Sequence, residues 1–277
     1  MNTQKRILAI NDISCFGKCS LAVALPILSV AGLETCVLPT AVLSAHTGFD
    51  GFTFRDLTDD MLPQAEHWAS LGLSFDGIYS GYLGSVRQVD HVEKIMDKFP
   101  SSFVLVDPVM GDNGKLYPGF EDDFVFEMRR LLKKATVIVP NVTEASFLSG
   151  IPYEKGLHTE EYIKKLIEHL LPFTNGKIVI TGIHSSENEL GTAVWDEGAF
   201  SIIFREKYDV VYSGTGDTFS AAFAGAVMHG HSLHHAAEIA SDFVIDCIKK
   251  TLELSGDRNY GVNFELCLED YLKKLKR

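Results

Sequence analysis

Short runs that are apolar on both faces alternate along this chain with longer stretches of helical periodicity. The short runs are Arg6–Ile10, Thr35–Thr40, Gly77–Ser80, Phe103–Asp107, Thr136–Val139 and Lys177–Thr181. Between them lie helical patterns at Leu21–Ala31, Thr58–Leu71, Val86–Phe99, Asp122–Lys133, Thr143–Ser149 and Thr159–Leu170. Strands that are apolar on both sides and separated by helices build a mostly parallel sheet with helices covering each face. The pattern changes after Thr181. Gly191–Asp196 and Phe200–Phe204 flank a turn at Glu197-Gly198 and read as an antiparallel hairpin at the sheet edge. Tyr208–Tyr212 is one more β-type run. Two long helices follow, Gly216–Met228 and Leu233–Leu254, the second opening on Ser232 as N-cap. A final amphipathic helix spans Phe264–Leu275. No repeat, low-complexity run or linker interrupts the pattern. The expectation is therefore one α/β domain over residues 1–277, three layers deep (α/β/α), with the hairpin at one edge.

Composition narrows the partners. A hydrophobic fraction of 46% is ample for a core, and Lys+Arg 25 against Asp+Glu 37 gives a net charge of −12. An acidic chain argues against nucleic acid or an anionic membrane as the main partner and leaves a small-molecule substrate. The basic end, Lys273-Lys274-Leu275-Lys276-Arg277, complements the dipole of the last helix. Met1–Arg6 is polar and Ile7-Leu8-Ala9-Ile10 is too short for a signal sequence or a membrane span. The five cysteines are odd in number and scattered, and Cys15-x-x-x-Cys19 has no second pair to complete a zinc site. These features predict a cytoplasmic protein with free thiols.

The chemistry is concentrated at strand ends. Ser213-Gly214-Thr215-Gly216-Asp217 leads into Phe219-Ser220-Ala221-Ala222-Phe223-Ala224-Gly225-Ala226, a small apolar helix. Two glycines at a helix start leave backbone N–H groups uncovered, which makes an anion site. A carboxylate in the same turn is sensible if it takes a proton from a nucleophile while those N–H groups hold the developing charge. That combination suggests phosphoryl transfer to an alcohol. Asn11-Asp12 ends the first strand, where Asp12 either faces the crevice or caps a turn. Ser44-Ala45-His46-Thr47-Gly48 precedes a Phe- and Gly-rich run that suits a flap over an aromatic ligand or a dimer surface. Tyr82, in Ser80-Gly81-Tyr82-Leu83-Gly84-Ser85, offers a ring face, and Ser85 can cap the next helix. Asp107-Pro108-Val109-Met110-Gly111-Asp112 supplies hard oxygen ligands suited to nucleotide-bound Mg2+. The mobile-looking loop after it brings Lys115 and Tyr117 toward phosphates. In Pro140-Asn141-Val142-Thr143-Glu144, the carboxylate either closes a capping box or holds a metal-bound water. The P-loop pattern and the kinase-type glycine loop are both absent from the sequence.

Taken in order, these motifs resemble the ribokinase superfamily, in its vitamin B6 kinase branch, over Ile10 to about Lys250. Gly214-Thr215-Gly216-Asp217 carries the superfamily resemblance. Ser-Gly-Tyr-Leu-Gly-Ser, Asp-Pro-Val-Met-Gly-Asp and the His-Thr-Gly loop narrow it to pyridoxal, pyridoxine and pyridoxamine kinases. The resemblance implies a ribokinase-like fold, ATP and Mg2+ as cofactors, and a homodimer; a monovalent cation requirement stays open. It implies Asp217 as general base toward the 5′-hydroxymethyl group, with the N–H groups of Gly214, Thr215 and Gly216 as anion hole. Glu144 and Asp112, with Asp107, would organise Mg2+. Asn141 and Thr181 would serve the nucleotide, and Asp12, His46, Thr47 and Tyr82 would line the pyridine pocket. Many of these kinases carry Ser at the position of Asp12 and Asn at that of Ala45. Hydroxymethylpyrimidine kinases of thiamine synthesis, the alternative, usually carry Cys where Asp217 stands. A catalytically inactive nucleotide sensor is a third reading, and the intact Asp217 and glycines count against it.

Overall fold

The computed structural model of this protein describes residues 4–254 and 260–276. The predicted contribution of Arg277 to the basic end lies outside those residues. In chain order, β1 (Arg6–Ser14) is followed by α1 (Leu21–Val30), β2 (Glu34–Leu43), β3 (Phe54–Asp56) and α2 (Thr58–Ser70). Next come β4 (Gly77–Ser80), α3 (Val86–Lys98) and β5 (Phe103–Val106). A small ribbon, β6 (Gly111–Asp112) and β7 (Lys115–Leu116), leads to α4 (Asp122–Leu132), β8 (Val137–Ile138), α5 (Val142–Ser149) and α6 (Glu160–Leu170). The chain continues through β9 (Lys177–His184), β10 (Glu189–Asp196) and β11 (Ala199–Glu206) to α7 (Thr215–His229), α8 (Leu233–Glu253) and α9 (Leu268–Leu275).

The main sheet runs β11-β10-β9-β8-β5-β4-β1-β2-β3. Its middle is parallel from β9 to β2, and both edges are antiparallel, with β3 on β2 and the β10–β11 hairpin on β9. Pleating splits the apolar residues between two cores. Ile7, Ala9, Tyr79 and Leu105 pack with Val23 of α1 and Phe219 and Phe223 of α7. Leu8, Ile10, Ile78 and Val104 pack with Met61 of α2 and Val89 and Val92 of α3. This is the predicted three-layer α/β/α arrangement. α7 is buried nearly all round, as its small apolar composition requires. No helix among the described residues is long and apolar enough to cross a membrane.

Three local expectations are corrected. Tyr208–Tyr212 forms no strand: Val210 bonds back to Tyr208 within the segment and Val211 is exposed, so the local turn takes the place of a sheet pairing. The 113–119 segment is not a free loop. Asn113 and Gly114, at φ 51° and 75°, turn β6 into β7, and the Gly114 N–H donates to Thr143 Oγ1 at 3.0 Å. β9 runs past Thr181 to His184, so Thr181 lies within the strand and not at its end.

The order of strands places the site. β1 has β2 on one side and β4 on the other, so the chain leaves it in both directions. Open α/β sheets bind ligands in the crevice at such a switch point, at the carboxyl ends of the strands. Asn11, Asp12 and Gly81 stand there.

Candidate active site

α7 begins on Gly214, in the left-handed conformation at φ 77°, with no side chain capping the helix. A Cβ on Gly214 would lie 1.8 Å from the Lys18 carbonyl oxygen, so only glycine lets the two loops meet. Gly216 is different: a Cβ there would meet nothing within 4 Å. The glycine therefore leaves open space against the first turn, where uncapped N–H groups and the helix dipole favour an anion.

Asp217 is half-buried one residue further on. Its Oδ2 accepts from the Ser20 backbone N–H at 2.9 Å and its Oδ1 from Asn11 Nδ2 at 3.4 Å. Burial first, and the nearby Asp12 second, push its carboxyl up to about 6. Asn11 is buried and joins several parts of the site. Its Oδ1 accepts from the N–H groups of Asp12 at 3.0 Å and Tyr82 at 2.9 Å. Gly81 makes room for that amide, because a Cβ there would lie 2.3 Å from Asn11 Nδ2. Ser20 is held at φ 55°, ψ −134°, a conformation that side chains rarely adopt.

Two further carboxylates face this turn. Asp107 is buried, accepts from Ser220 Oγ at 2.7 Å, and is pushed up to about 7 by burial. Glu144 is buried too, and burial followed by the Asp107 charge pushes it well up. It forms the capping box at the start of α5, with Asn141 N–H donating to Oε2 and Met110 N–H to Oε1. Two buried carboxylates, Asp107 raised also by the Asp217 charge and Glu144 by that of Asp107, call for a cation. Mg2+ typically takes one or two protein carboxylates and completes its shell with phosphates and water, so Asp107 and Glu144 fit it. Among the described residues no three His, Cys, Asp or Glu side chains could hold a metal by themselves, Cys15 and Cys19 included.

The other predicted residues divide. Asp12 is buried and accepts from Ser14 Oγ at 3.0 Å. Burial pushes its carboxyl up, and the His46 ring bears on it electrostatically. Burial and then Asp12 push the half-buried Tyr82 hydroxyl up, so the Asp12 charge reaches both the His46 ring and the Tyr82 hydroxyl. His46 Nδ1 accepts from Gly48 N–H at 3.0 Å, Phe49 packs tilted against its ring, and Phe16 meets Phe49 edge-on. Thr47 is exposed on that turn. Asn141 and Thr181 face each other across a parallel bridge, so the two residues expected to serve the nucleotide are neighbours. Tyr117 stands within the field of Glu144, while Lys115 is exposed on the ribbon. Asp112 is not brought into the buried pair. It is exposed and takes the N–H and side-chain amide of Asn113, closing the ribbon turn.

Ser20 and Ser220 complete the arrangement beyond the residues singled out in the sequence, and Asn11, named there beside Asp12, is the residue that ties Asp217 to the strand end. Ser220 was legible, because it stands three residues after Asp217 on the same helix face. Ser20 carried no signal, since its conformation comes from the loops around it.

The phosphomethylpyrimidine kinase family matches residues 29–263. The chain belongs to that family. Its fold is ribokinase-like. A crystal structure of a phosphomethylpyrimidine kinase homologue from Bacteroides thetaiotaomicron, in a form with pyridoxal, is similar at 37% identity and a TM-score of 0.91, covering 99% of this chain and 96% of that one. Pyridoxal kinase from Lactobacillus plantarum is similar at 32% identity and a TM-score of 0.92, covering 98% of each chain. The hydroxymethylpyrimidine/phosphomethylpyrimidine kinase of Bacillus subtilis is 30% identical over 217 residues, 77% of this chain and 78% of that protein. The proteins it is similar to thus carry the names of both B6 and pyrimidine kinases.

Proposed function

We propose that this protein transfers the γ-phosphoryl group of ATP to the 5′-hydroxymethyl group of a B6 vitamer, as one catalytic domain in a cytoplasmic homodimer. One observation carries the reading. A carboxylate held by Ser20 and Asn11 sits in the first turn of an uncapped helix, beside the open space left by Gly216. Asp217 takes the hydroxyl proton as the oxygen attacks. The N–H groups of Gly214, Thr215 and Gly216 hold the charge that spreads over the phosphoryl oxygens. Asp107 and Glu144 would hold the nucleotide-bound Mg2+, and Asp112, exposed on the ribbon turn, would stand further out. When bound, Mg2+ neutralises charge on the phosphates. Asn141 and Thr181 bear on the phosphate side, with Tyr117 and Lys115 on the ribbon above. Asp12, His46 and Tyr82, with Thr47 at the rim, line the ring pocket. The similarity to the Bacteroides protein crystallised with pyridoxal and to the Lactobacillus enzyme supports a B6 substrate.

The second reading, a hydroxymethylpyrimidine kinase, is favoured by the family's name and the Bacillus relative. Asp217 counts against it by the resemblance described above. ATP-dependent turnover of pyridoxal, pyridoxine, pyridoxamine and hydroxymethylpyrimidine, measured side by side, decides between them. Preference for a B6 compound is the expected outcome, and preference for the pyrimidine would overturn the proposal.

Glu144 has two duties, and they separate by mutation. Glu144→Gln keeps an acceptor for the cap, so the fold should lose no more than ~1 kcal/mol. Activity should fall, and added Mg2+ should restore part of it. A rate that is independent of Mg2+ concentration, with a large loss of melting temperature, would make Glu144 a capping residue alone.

A further inference from the structure

Tyr79 lies at the centre of the sheet, paired in register with Ala9 on β1 and Leu105 on β5. It is fully buried, yet its hydroxyl makes no well-formed hydrogen bond. A buried hydroxyl without a partner is costly, and phenylalanine would fill the same volume without that cost. The hydroxyl therefore calls for a reason that core packing does not supply.

The register supplies one. Residues two further along each strand share the face of Tyr79. They are Asn11, Gly81 and Asp107, and the ladder continues to them through Gly81 N–H to Ile10 O and Asp107 N–H to Ser80 O. Tyr79 thus stands one step beneath the row that holds Asn11, which donates to Asp217, and Asp107, which accepts from Ser220. Its ring packs in the core shared with Phe219 and Phe223 of α7, the residues flanking Ser220 on that helix. Ser220 is the side chain placed to bond the phenol, and Asp217 and Asp107 are the charges that bear on it.

We propose that Tyr79 is a positioning residue: its hydroxyl donates to Ser220 Oγ, Ser220 donates to Asp107, and this relay fixes the Asp107 carboxylate toward the nucleotide-bound Mg2+. The inference rests on the kinase reading given above. The second bond of the relay is formed, at 2.7 Å. The first closes when the nucleotide and its cation draw Asp107 into place, as hydrogen bonds at catalytic sites commonly tighten on ligand binding. Because Ser220 stands on the helix that carries Asp217, the relay also ties the cation side of the site to the base.

The test uses Tyr79→Phe, Ser220→Ala and the double variant of the full chain, with ADP titrated by calorimetry in Mg2+ and again in EDTA. Thermal melting and vitamer turnover are measured on the same samples. Tyr79→Phe should melt at or above the wild-type temperature. Its affinity for ADP should fall about five- to tenfold in Mg2+, the scale of one hydrogen bond, and stay unchanged in EDTA. The double variant should bind no more weakly than Ser220→Ala, since both changes break one relay. Unchanged affinity in Mg2+, an equal loss in EDTA, additive losses, or a melting temperature well below wild type would each overturn the inference. A wild-type protein that turns over vitamers while Tyr79→Phe shows no effect defeats the relay alone. A wild-type protein that turns over none of them, while the Mg2+-dependent loss appears, defeats the substrate reading and supports the relay. Failure of the wild-type chain to bind ADP defeats both.

Discussion

Replacing Asp217 with alanine should lower kcat by at least about a hundredfold, the lower range for losing a general base, while nucleotide binding persists. The base has to be ionised to accept a proton, and burial holds it up at about 6. The rate of the wild-type protein should therefore fall as pH drops below about 6, and that acid limb should vanish from the residual rate of Asp217→Ala. Near-normal kcat in the variant would remove Asp217 from the mechanism. Stability should move the opposite way. A carboxyl whose folded proton affinity is raised disfavours the folded state once it ionises. That penalty is absent below the unfolded value near 3.8 and fully present above about 6. With a discount for partial exposure, it is on the order of 2 kcal/mol. Asp217→Asn should accordingly melt above wild type at pH 8 and lose that advantage near pH 4. A variant that is inactive and also less stable at pH 8 would show that the Ser20 and Asn11 hydrogen bonds outweigh the burial cost.

The two glycines of the turn should respond in opposite ways. Gly214→Ala forces a side chain into the left-handed region and against the Lys18 carbonyl, 1.8 Å from the ideal Cβ. Strain and overpacking together should cost ~2–5 kcal/mol, with activity lost as the anion hole shifts. Lys18 has little freedom to yield. Its N–H is bonded to Tyr260 O at 2.9 Å and its Nζ to Asn263 and Glu265, each at 2.8 Å. Gly216→Ala meets no protein atom within 4 Å and adds a helix-favouring residue, so the fold should keep or gain up to ~1 kcal/mol. Activity should nevertheless fall sharply, because the new methyl group occupies the space proposed for phosphate. Paired melting curves and rates check both. If Gly216→Ala stays fully active, phosphate does not approach there. If Gly214→Ala melts normally, the close contact with Lys18 is relieved without cost.

Local chemistry was legible in the chain before any coordinates. The strand and helix alternation, the start of α7 at Gly214-Thr215-Gly216-Asp217, the Asn141–Glu144 box and the Ser85 and Ser232 caps all depend on residues close in sequence. Their geometry is set by spacing along one helix or one turn. Asp12, His46 and Tyr82 could be grouped because each stands near the carboxyl end of a strand or just after it, and strand ends of a parallel sheet converge. Tyr208–Tyr212 misled for the converse reason: β propensity describes fitness for a pleated, half-buried surface, and this segment turns back on itself with Val211 exposed instead of lying on the sheet. Asp112 misled because the side chain closing a turn and one holding a metal look alike in sequence.

What the tertiary structure alone decided is which distant groups meet. Asp217 is held by residues 197 and 206 positions away, and Asp107 by Ser220, 113 positions away. The strain at Ser20, the orphan hydroxyl of Tyr79 and the field of Asp107 on Glu144 all follow from the order of the strands and the packing of α7 onto them. The sequence determined that the chain carries a base, an anion site and carboxylates suited to a cation, because residue type and local spacing fix those. Their arrangement around one crevice, and the proton affinities that result, depend on burial and on charges brought together from separate strands. Those two quantities exist only once the sheet has closed.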